Sequence, residues 1–309
     1  MLLDEARRLL ITTGSAEERS SRALSRLVAA GSLIRLRPGV HVDAIVWARL
    51  RHEERLQLRI LALALTSRTR PVFSHWSAAV LHGKPVPRRA CDAVDVALEA
   101  SRNRVLVGAR AHAVALRPDD VVEIDGLLCT SLLRTLVDVA ADEGFEEAVV
   151  LGDALYAALG DGAKERARAA LDASGRRRGA ARAGAVLDFA DGRSGSPGES
   201  VSRVRIHRLG FARPELQVPI EVDGHRYEDD FDWEEVGTAG EFDGELKYRE
   251  DRFRLGGSVA DVVIREKNRE NRMRRRRPRF ARWDWSDLLA GRLERILLDA
   301  CVPKRNGRA

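Results

Sequence analysis

Between Tyr227 and Tyr248 the chain reads YEDDFDWEEVGTAGEFDGELKY, two short alternating segments that end in carboxylates. Asp230 and Asp232 lie two apart, as do Glu241 and Asp243. A strand has a period of two, so each pair projects from one face. Antiparallel pairing of the two segments would bring up to four carboxylates to one patch. Carboxylates that close repel one another, and a divalent cation relieves the repulsion. Lys247 follows closely. Acids, a metal and a lysine together point to metal-dependent phosphodiester chemistry.

The elements that must position these acids lie between Ser196 and Ala309. ESVSRVRIHRLG reads as a helix opened by Glu199 and closed by Gly210. ELQVPIEV and HRYEDDFDW read as a hairpin about Asp223-Gly224, and VGTAGEFD as a third strand. VADVVIREKNRENRMRRR is mainly helical, FARWDW is a last strand, and SDLLAGRLERILLDACV is a last helix capped by Ser286. The order α-β-β-β-α-β-α predicts a mixed sheet flanked by helices. Arg272, Arg274 and Arg275 open an arginine run that continues through Arg276, Arg277, Arg279 and Arg282, suited to clamping a phosphate backbone. Trp283 and Trp285 are expected in packing rather than as base-stacking platforms.

At the other end, LLDEARRLLITTG reads as a helix ending near Gly14. Ser15 and Glu18 suit a capping box, and Ser20 or Ser21 opens a third helix that Gly31 stops. LIRLRPGVHV alternates about Pro38-Gly39, as a β-hairpin does. Three short helices and a hairpin predict a winged helix-turn-helix over residues 1–43. In that geometry the third helix enters the major groove, with Arg22 and Arg26 on its polar side and Arg35 and Arg37 on the wing. Residues 44–160 read as an α+β domain without a Gly-rich phosphate loop or a nucleophile elbow. There IVWARLRHEERLQLRILALALTS is one uninterrupted helical pattern, and His75 and His82 share a helix face as packing residues. Residues 161–195 form an Ala/Arg-rich connector of two short helices about a basic turn at Arg176 to Arg178, and residues 196–309 form the last domain.

Composition sets the frame. The chain has 309 residues, 44% hydrophobic and 32% charged, which is globular rather than disordered. No apolar run approaches the roughly 18 residues that span a bilayer. The early charges of MLLDEARRLL argue against a secretory signal, so a cytoplasmic protein is expected. Cys91, Cys129 and Cys301 form neither a zinc spacing nor a disulfide framework. A net charge of +6 favours a polyanionic partner.

The stretches LSRLVAAGSLIRLRPGVHV, SHWSAAVLHG and IDGLLCTSLLRTLVDVA resemble the AbiEi family, antitoxin-type regulators of type IV toxin–antitoxin systems. That resemblance covers roughly residues 1–160. It implies a DNA-binding winged-helix head that represses its own operon, and a companion domain that helps antagonise a nucleotidyltransferase-like toxin. SPGES, DDFDW, GEFDGELKY, REKNRENRMR and RWDW resemble the PD-(D/E)XK nuclease superfamily, in particular its small Vsr-like domains. By that resemblance Asp230 matches the first motif acid and Glu241 the second, while Asp243 stands where the motif lysine usually stands. Lys267 would swing back beside the acids in its place, and Glu199 would add an oxygen ligand. A second choice is the literal E-x-K of Glu245 and Lys247, paired with Asp232. The resemblance implies Mg²⁺ or Mn²⁺ held by Asp230, Glu241, Asp243 and Glu199. Together these readings predict an α+β multidomain, DNA-binding protein with a metal-dependent endonuclease domain. The alternative is an AbiEi-type antitoxin or transcriptional regulator whose nuclease-like domain is catalytically inactive.

Overall fold

A computed structural model of the protein describes residues 3–12, 21–98, 108–222, 224–244 and 277–305. The chain is of mixed α/β type and divides into two compact units, Met1–Leu155 with Leu159–Ala190, and Tyr156–Ala158 with Asp191–Ala309. No helix among the described residues is long and apolar enough to cross a membrane.

The first unit begins with α1 (Leu3–Arg8), β1 (Ile11–Thr12), α2 (Ser21–Ala29), β2 (Leu33–Arg37) and β3 (Val40–Asp43). The first helix stops six residues short of the expected Gly14. Ile11 and Thr12 instead pair antiparallel with His41 and Val40, adding a third strand beside the expected hairpin. Gly39, at φ +81°, lets that hairpin turn. The Ser15–Glu18 capping box falls outside the described residues. The single helix expected after residue 44 is two, α3 (Ala44–Arg49) and α4 (His52–Thr66). Leu50 is extended between them. Each helix has its own start: Asp43 Oδ1 accepts from the amides of Ile45 and Val46, and the Glu54 carboxylate accepts from the Arg51 amide at 2.8 Å.

A mixed sheet of order β6-β5-β4-β8-β7 follows, from β4 (Val72–Phe73), β5 (Val94–Leu98), β6 (Ala109–Ala113), β7 (Val121–Ile124) and β8 (Leu127–Thr130). It packs with α5 (His75–Leu81), which packs in turn on α6 (Leu132–Asp142); α7 (Phe145–Leu159) follows in the chain. Leu136, Val137 and Val139 of α6 are fully buried, each stabilising by about 1.5–3 kcal/mol. The expected connector is part of this body down to Ala190. Its helices α8 (Ala163–Ala173) and α9 (Ala180–Phe189) both pack on α6.

A chain of alternating charges runs through this packing. Arg117 bonds Asp120, Asp120 bonds Arg134 at 2.7 Å, and Arg134 bonds Asp138 at 3.1 Å. Asp138 then takes Arg176 at 2.8 Å, Arg176 takes Asp142 at 2.7 Å, and Asp142 takes His75 at 3.1 Å. Arg134 is 2% exposed and Asp138 fully buried, so neither has water to fall back on.

The second unit opens with α10 (Pro197–Arg208), capped by Ser196 and started by Pro197. Its sheet has the order β12-β11-β10-β9, from β9 (Glu215–Val222), β10 (His225–Trp233), β11 (Thr238–Asp243) and β12 (Arg279–Asp284). The first three strands are antiparallel neighbours and β12 runs parallel to β11, so the sheet is mixed as expected. The last helix is two, α11 (Trp285–Leu289) and α12 (Leu293–Asp299), interrupted at Gly291 with φ +69°. The cap is Asp284 rather than Ser286. Its carboxylate accepts from the Asp287 amide at 2.9 Å, and the Asp287 carboxylate accepts from the Asp284 amide at 3.1 Å.

The buried charge chain makes a direct prediction. Arg134→Ala leaves two buried carboxylates short of a partner and should lower the unfolding free energy by about 3–5 kcal/mol, read from urea denaturation of the full chain.

Candidate functional site

The acids of the second unit are set by the first turn of α10 and by a defect in the sheet. Glu199 is 4% exposed and held by three hydrogen bonds. Its carboxylate accepts from the Gly195 amide at 2.7 Å, the Ser196 hydroxyl at 2.8 Å and the Gln217 side-chain amide at 3.0 Å. The same Gln217 nitrogen donates to Asp230 Oδ1 at 3.3 Å, so one amide bridges the helix acid to the strand acid. Gln217 sits within β9 at φ +51°, a left-handed conformation that costs a non-glycine residue about 1–3 kcal/mol. The pairing of β10 with β9 passes from Asp229↔Val218 to Phe231↔Leu216, and Asp230 stands opposite this twisted residue. Pairing of β10 with β11 runs from Trp233↔Thr238 to Phe231↔Gly240. Just beyond it, Asp230 Oδ2 accepts from the Phe242 amide at 3.0 Å, taking the place of a ladder carbonyl. Asp230 therefore stands beside Glu241 of the next strand.

Small residues let helix and sheet close on one another. A Cβ at Gly198 would lie inside the Phe242 ring, and one at Gly240 would meet Trp283 at 2.9 Å and Trp233 at 3.1 Å. Trp283 is 1% exposed, and its indole N–H donates to the Ser202 hydroxyl of α10 at 2.7 Å. It is core, as expected. Trp285, 36% exposed, lies edge-on to Phe242 at 5.3 Å.

Two arginines hold the remaining acids. Arg282 and Glu241 are cross-strand neighbours on β12 and β11, and the guanidinium donates to the carboxylate at 2.7 Å. Arg277 donates to Asp232 at 2.6 Å and comes within 4.0 Å of Asp229. Asp229 is fully buried, and among the described residues neither of its carboxylate oxygens has a hydrogen-bond partner. Burial, reinforced by the charge of Asp232 and opposed by Arg277, pushes its carboxyl up to about 7. Asp232 is also raised, because burial outweighs Arg277.

The four-acid patch expected from the alternation is thus divided. Asp230 and Glu199 share Gln217, Glu241 faces Arg282, Asp232 faces Arg277, and Asp243 is half-buried at the end of β11. Among the described residues, the metal-capable group whose donor atoms all lie within 4.8 Å of one another is elsewhere: His75, His112 and Asp142 of the first unit. Arg277 and Arg282, expected to clamp phosphate, serve as partners of acids. Lys267, Lys247, Glu245, Arg272, Arg274 and Arg275 lie outside the described residues. Gln217 and Asp229 went unnoticed in the sequence. Asp229 carried a signal, being the first acid of the Asp-Asp-Phe-Asp run, whereas Gln217 had none.

In the first unit Arg22, Arg26 and Arg35 are exposed on α2 and β2 as expected. Arg37 is half-buried and donates to the Thr66 hydroxyl at 2.8 Å, so it is tied to α4 rather than poised on a wing. His82 packs as expected, bonded to the Thr130 carbonyl at 2.8 Å. His75 does not merely pack beside it. The ring stacks on His112 with centroids 3.6 Å apart, and the residue has φ +47°.

Comparison with known proteins finds no matching family model. The chain is similar to two uncharacterized proteins of Mycobacterium tuberculosis, one from strain CDC 1551 / Oshkosh and one from strain ATCC 25618 / H37Rv. Each is 30% identical over 183 residues, which cover 55% of this chain and 66% of the relative. The matched part is therefore just under two thirds of those proteins' length.

The Asp229 carboxyl makes stability depend on pH. An unfolded aspartate titrates near about 4. Between there and about 7 the folded chain keeps a proton that the unfolded chain has released. Stability therefore falls as pH rises across that window; below it the penalty is absent and above it complete. Asp229→Asn should flatten this slope and raise stability at about pH 8 by a few kcal/mol at most, measured by urea unfolding at about pH 5 and pH 8.

Proposed function

We propose that the chain is a DNA-binding protein whose second unit is a PD-(D/E)XK-like, divalent-metal-dependent endonuclease. The observation that carries this reading is the Glu199–Gln217–Asp230 bridge beside Glu241, held by a residue in a strained conformation. Strain of this kind persists where the surroundings impose it, and it gathers at functional sites.

The donor set suits Mg²⁺ or Mn²⁺. Glu199, Asp230, Glu241 and Asp243 offer oxygen only, and Glu199 and Glu241 are buried carboxylates whose charge calls for a cation. These four residues would hold the ion, with Arg282 withdrawn from Glu241. A bound Mg²⁺ supplies a more acidic water and neutralises charge on the scissile phosphate. Gln217 keeps the helix acid and the strand acid in fixed relation. Once released, the Arg282 guanidinium is the cation beside Glu241, where the motif lysine is replaced by Asp243. The first unit supports the DNA side of the reading, since Arg22 and Arg26 on α2 and Arg35 on the adjoining hairpin are exposed together.

A second reading rests on the ion pairs. Arg282 on Glu241 and Arg277 on Asp232 already supply the positive charge that the acids need. On this reading the second unit is an inert nuclease-like module of an AbiEi-like regulator, with a nucleotidyltransferase-like toxin as its protein partner.

Supercoiled plasmid with Mg²⁺ or Mn²⁺ separates the two. The endonuclease reading expects nicking by the wild type that falls to background in Asp230→Ala and in Glu241→Ala. Equal behaviour of wild type and variants in every metal, with duplex binding intact, leaves only the second reading. For the DNA-binding head, Arg22→Ala with Arg26→Ala should weaken duplex binding and flatten its log–log salt slope by about 2, near 0.9 per lost phosphate contact. Gel-shift titration across salt reads both quantities.

A further inference from the structure

The first unit holds a cavity of about 910 Å³ between the end of β6 and the turn that joins α8 to α9. One wall is nearly bare of side chains. Ala111, Ala113 and Ala115 alternate with His112 and Val114, which leaves a shallow, largely apolar shelf. The opposite wall is basic. The turn from Ser174 to Gly179 presents Arg176, Arg177 and Arg178 in succession, and Arg182 follows on the first turn of α9.

The acids near this cavity are already committed. Asp142 is the acid in its lining; it accepts two bonds from Arg176 at 2.7 Å and one from His75 at 3.1 Å. Burial works against its charge, but His75 and Arg176 hold its carboxyl well below the ordinary range. Asp138 behind it serves Arg134 and Arg176. Arg177, Arg178 and Arg182 therefore bring positive charge that no further acid of the lining offsets. Arg177 and Arg178 are exposed at the mouth, and Arg182 is aligned by a hydrogen bond to the Ala141 carbonyl.

A metal does not suit this place, although His75, His112 and Asp142 lie close. The two imidazoles are stacked with an interplanar angle of 20°, so their lone pairs run side by side instead of converging on one point. His112 Nε2 is bonded to Asp95 at 2.9 Å, and the Arg176 guanidinium already lies on Asp142. An entering cation would meet that guanidinium first. The chemistry of the lining is that of an anion site, and guanidinium forks match phosphate oxygens in geometry as well as charge.

We propose that this cavity binds a small phosphate-bearing molecule of nucleotide size, with its phosphates on Arg177, Arg178 and Arg182 and its organic part on the alanine shelf. The volume falls in the usual range for small-ligand sites. The alanine shelf separates such a ligand from a duplex backbone, because a backbone resting on exposed Arg177 and Arg178 leaves the shelf uncovered. The site is independent of the acid set in the other unit.

Isothermal titration calorimetry on the full chain, with ATP and with inorganic pyrophosphate in chelator-containing buffer, tests this. Saturable binding is expected, weakened at least about tenfold in Arg177→Ala/Arg178→Ala. It should be unchanged in Arg168→Ala, whose guanidinium pairs with Asp188 outside the cavity, and in Asp230→Ala. No binding of either probe at millimolar concentration overturns the proposal, as does equal affinity in the double variant. A double variant that loses duplex DNA affinity, where ATP and pyrophosphate never bind, identifies backbone phosphate as the ligand and overturns it too. The Asp230→Ala arm keeps this outcome separate from failure of the endonuclease reading.

Discussion

A guanidinium withdrawn from water must be given carboxylates, and Arg134 is the place where the first unit meets that demand. Its two carboxylates come from different places in the chain, Asp120 before β7 and Asp138 one turn further along α6. Asp138 must in turn share with Arg176, which reaches it from the turn between α8 and α9. Ion pairs this deep recover little net energy, because desolvation offsets most of the attraction. They do restrict the alternatives. Any arrangement that separates α6 from the 174–179 turn strands a charge. A segment that reads as a connector is in this way part of the body, and the basic cavity acquires a rigid floor.

The second unit handles charge differently. Among the described residues Arg277 faces both Asp232 and Asp229, and neither oxygen of the buried Asp229 carboxyl has a hydrogen-bond partner. The sheet tolerates this because two sides of the cluster are fixed by other means. Gln217 is held in a left-handed conformation, and Gly198 brings α10 down onto Phe242. The first unit has matched its buried charges almost one to one.

Much of this architecture was legible in the sequence, and the failures share a cause. The hairpins at Pro38-Gly39 and between β9 and β10, the alternation of β10 and β11, and helices α8 and α9 all carry local signals of turn chemistry or periodicity. The strand Ile11–Thr12 carries none, because two residues become a strand only when β3 is beside them. The break between α3 and α4 was hidden inside an unbroken helical pattern, and there the deciding group was polar, Glu54 on the Arg51 amide; the break between α11 and α12 falls at Gly291, at φ +69°. The acids themselves were visible, but their partners were not. Gln217, Arg282 and the meeting of His75 with His112 and Asp142 depend on contacts between residues distant in sequence.

The parallel pairing of β11 with β12 has a consequence for the order in which the second unit is completed. Antiparallel neighbours can zip from a tight turn, whereas parallel neighbours require the chain to return to its starting end first. Glu241 receives Arg282 only across that last pair. A chain emerging from the ribosome therefore displays Glu199, Asp230 and Glu241 well before the strand that neutralises them. Until β12 pairs, β11 is the edge of the sheet and Glu241 lacks the Arg282 that lies on it in the finished fold.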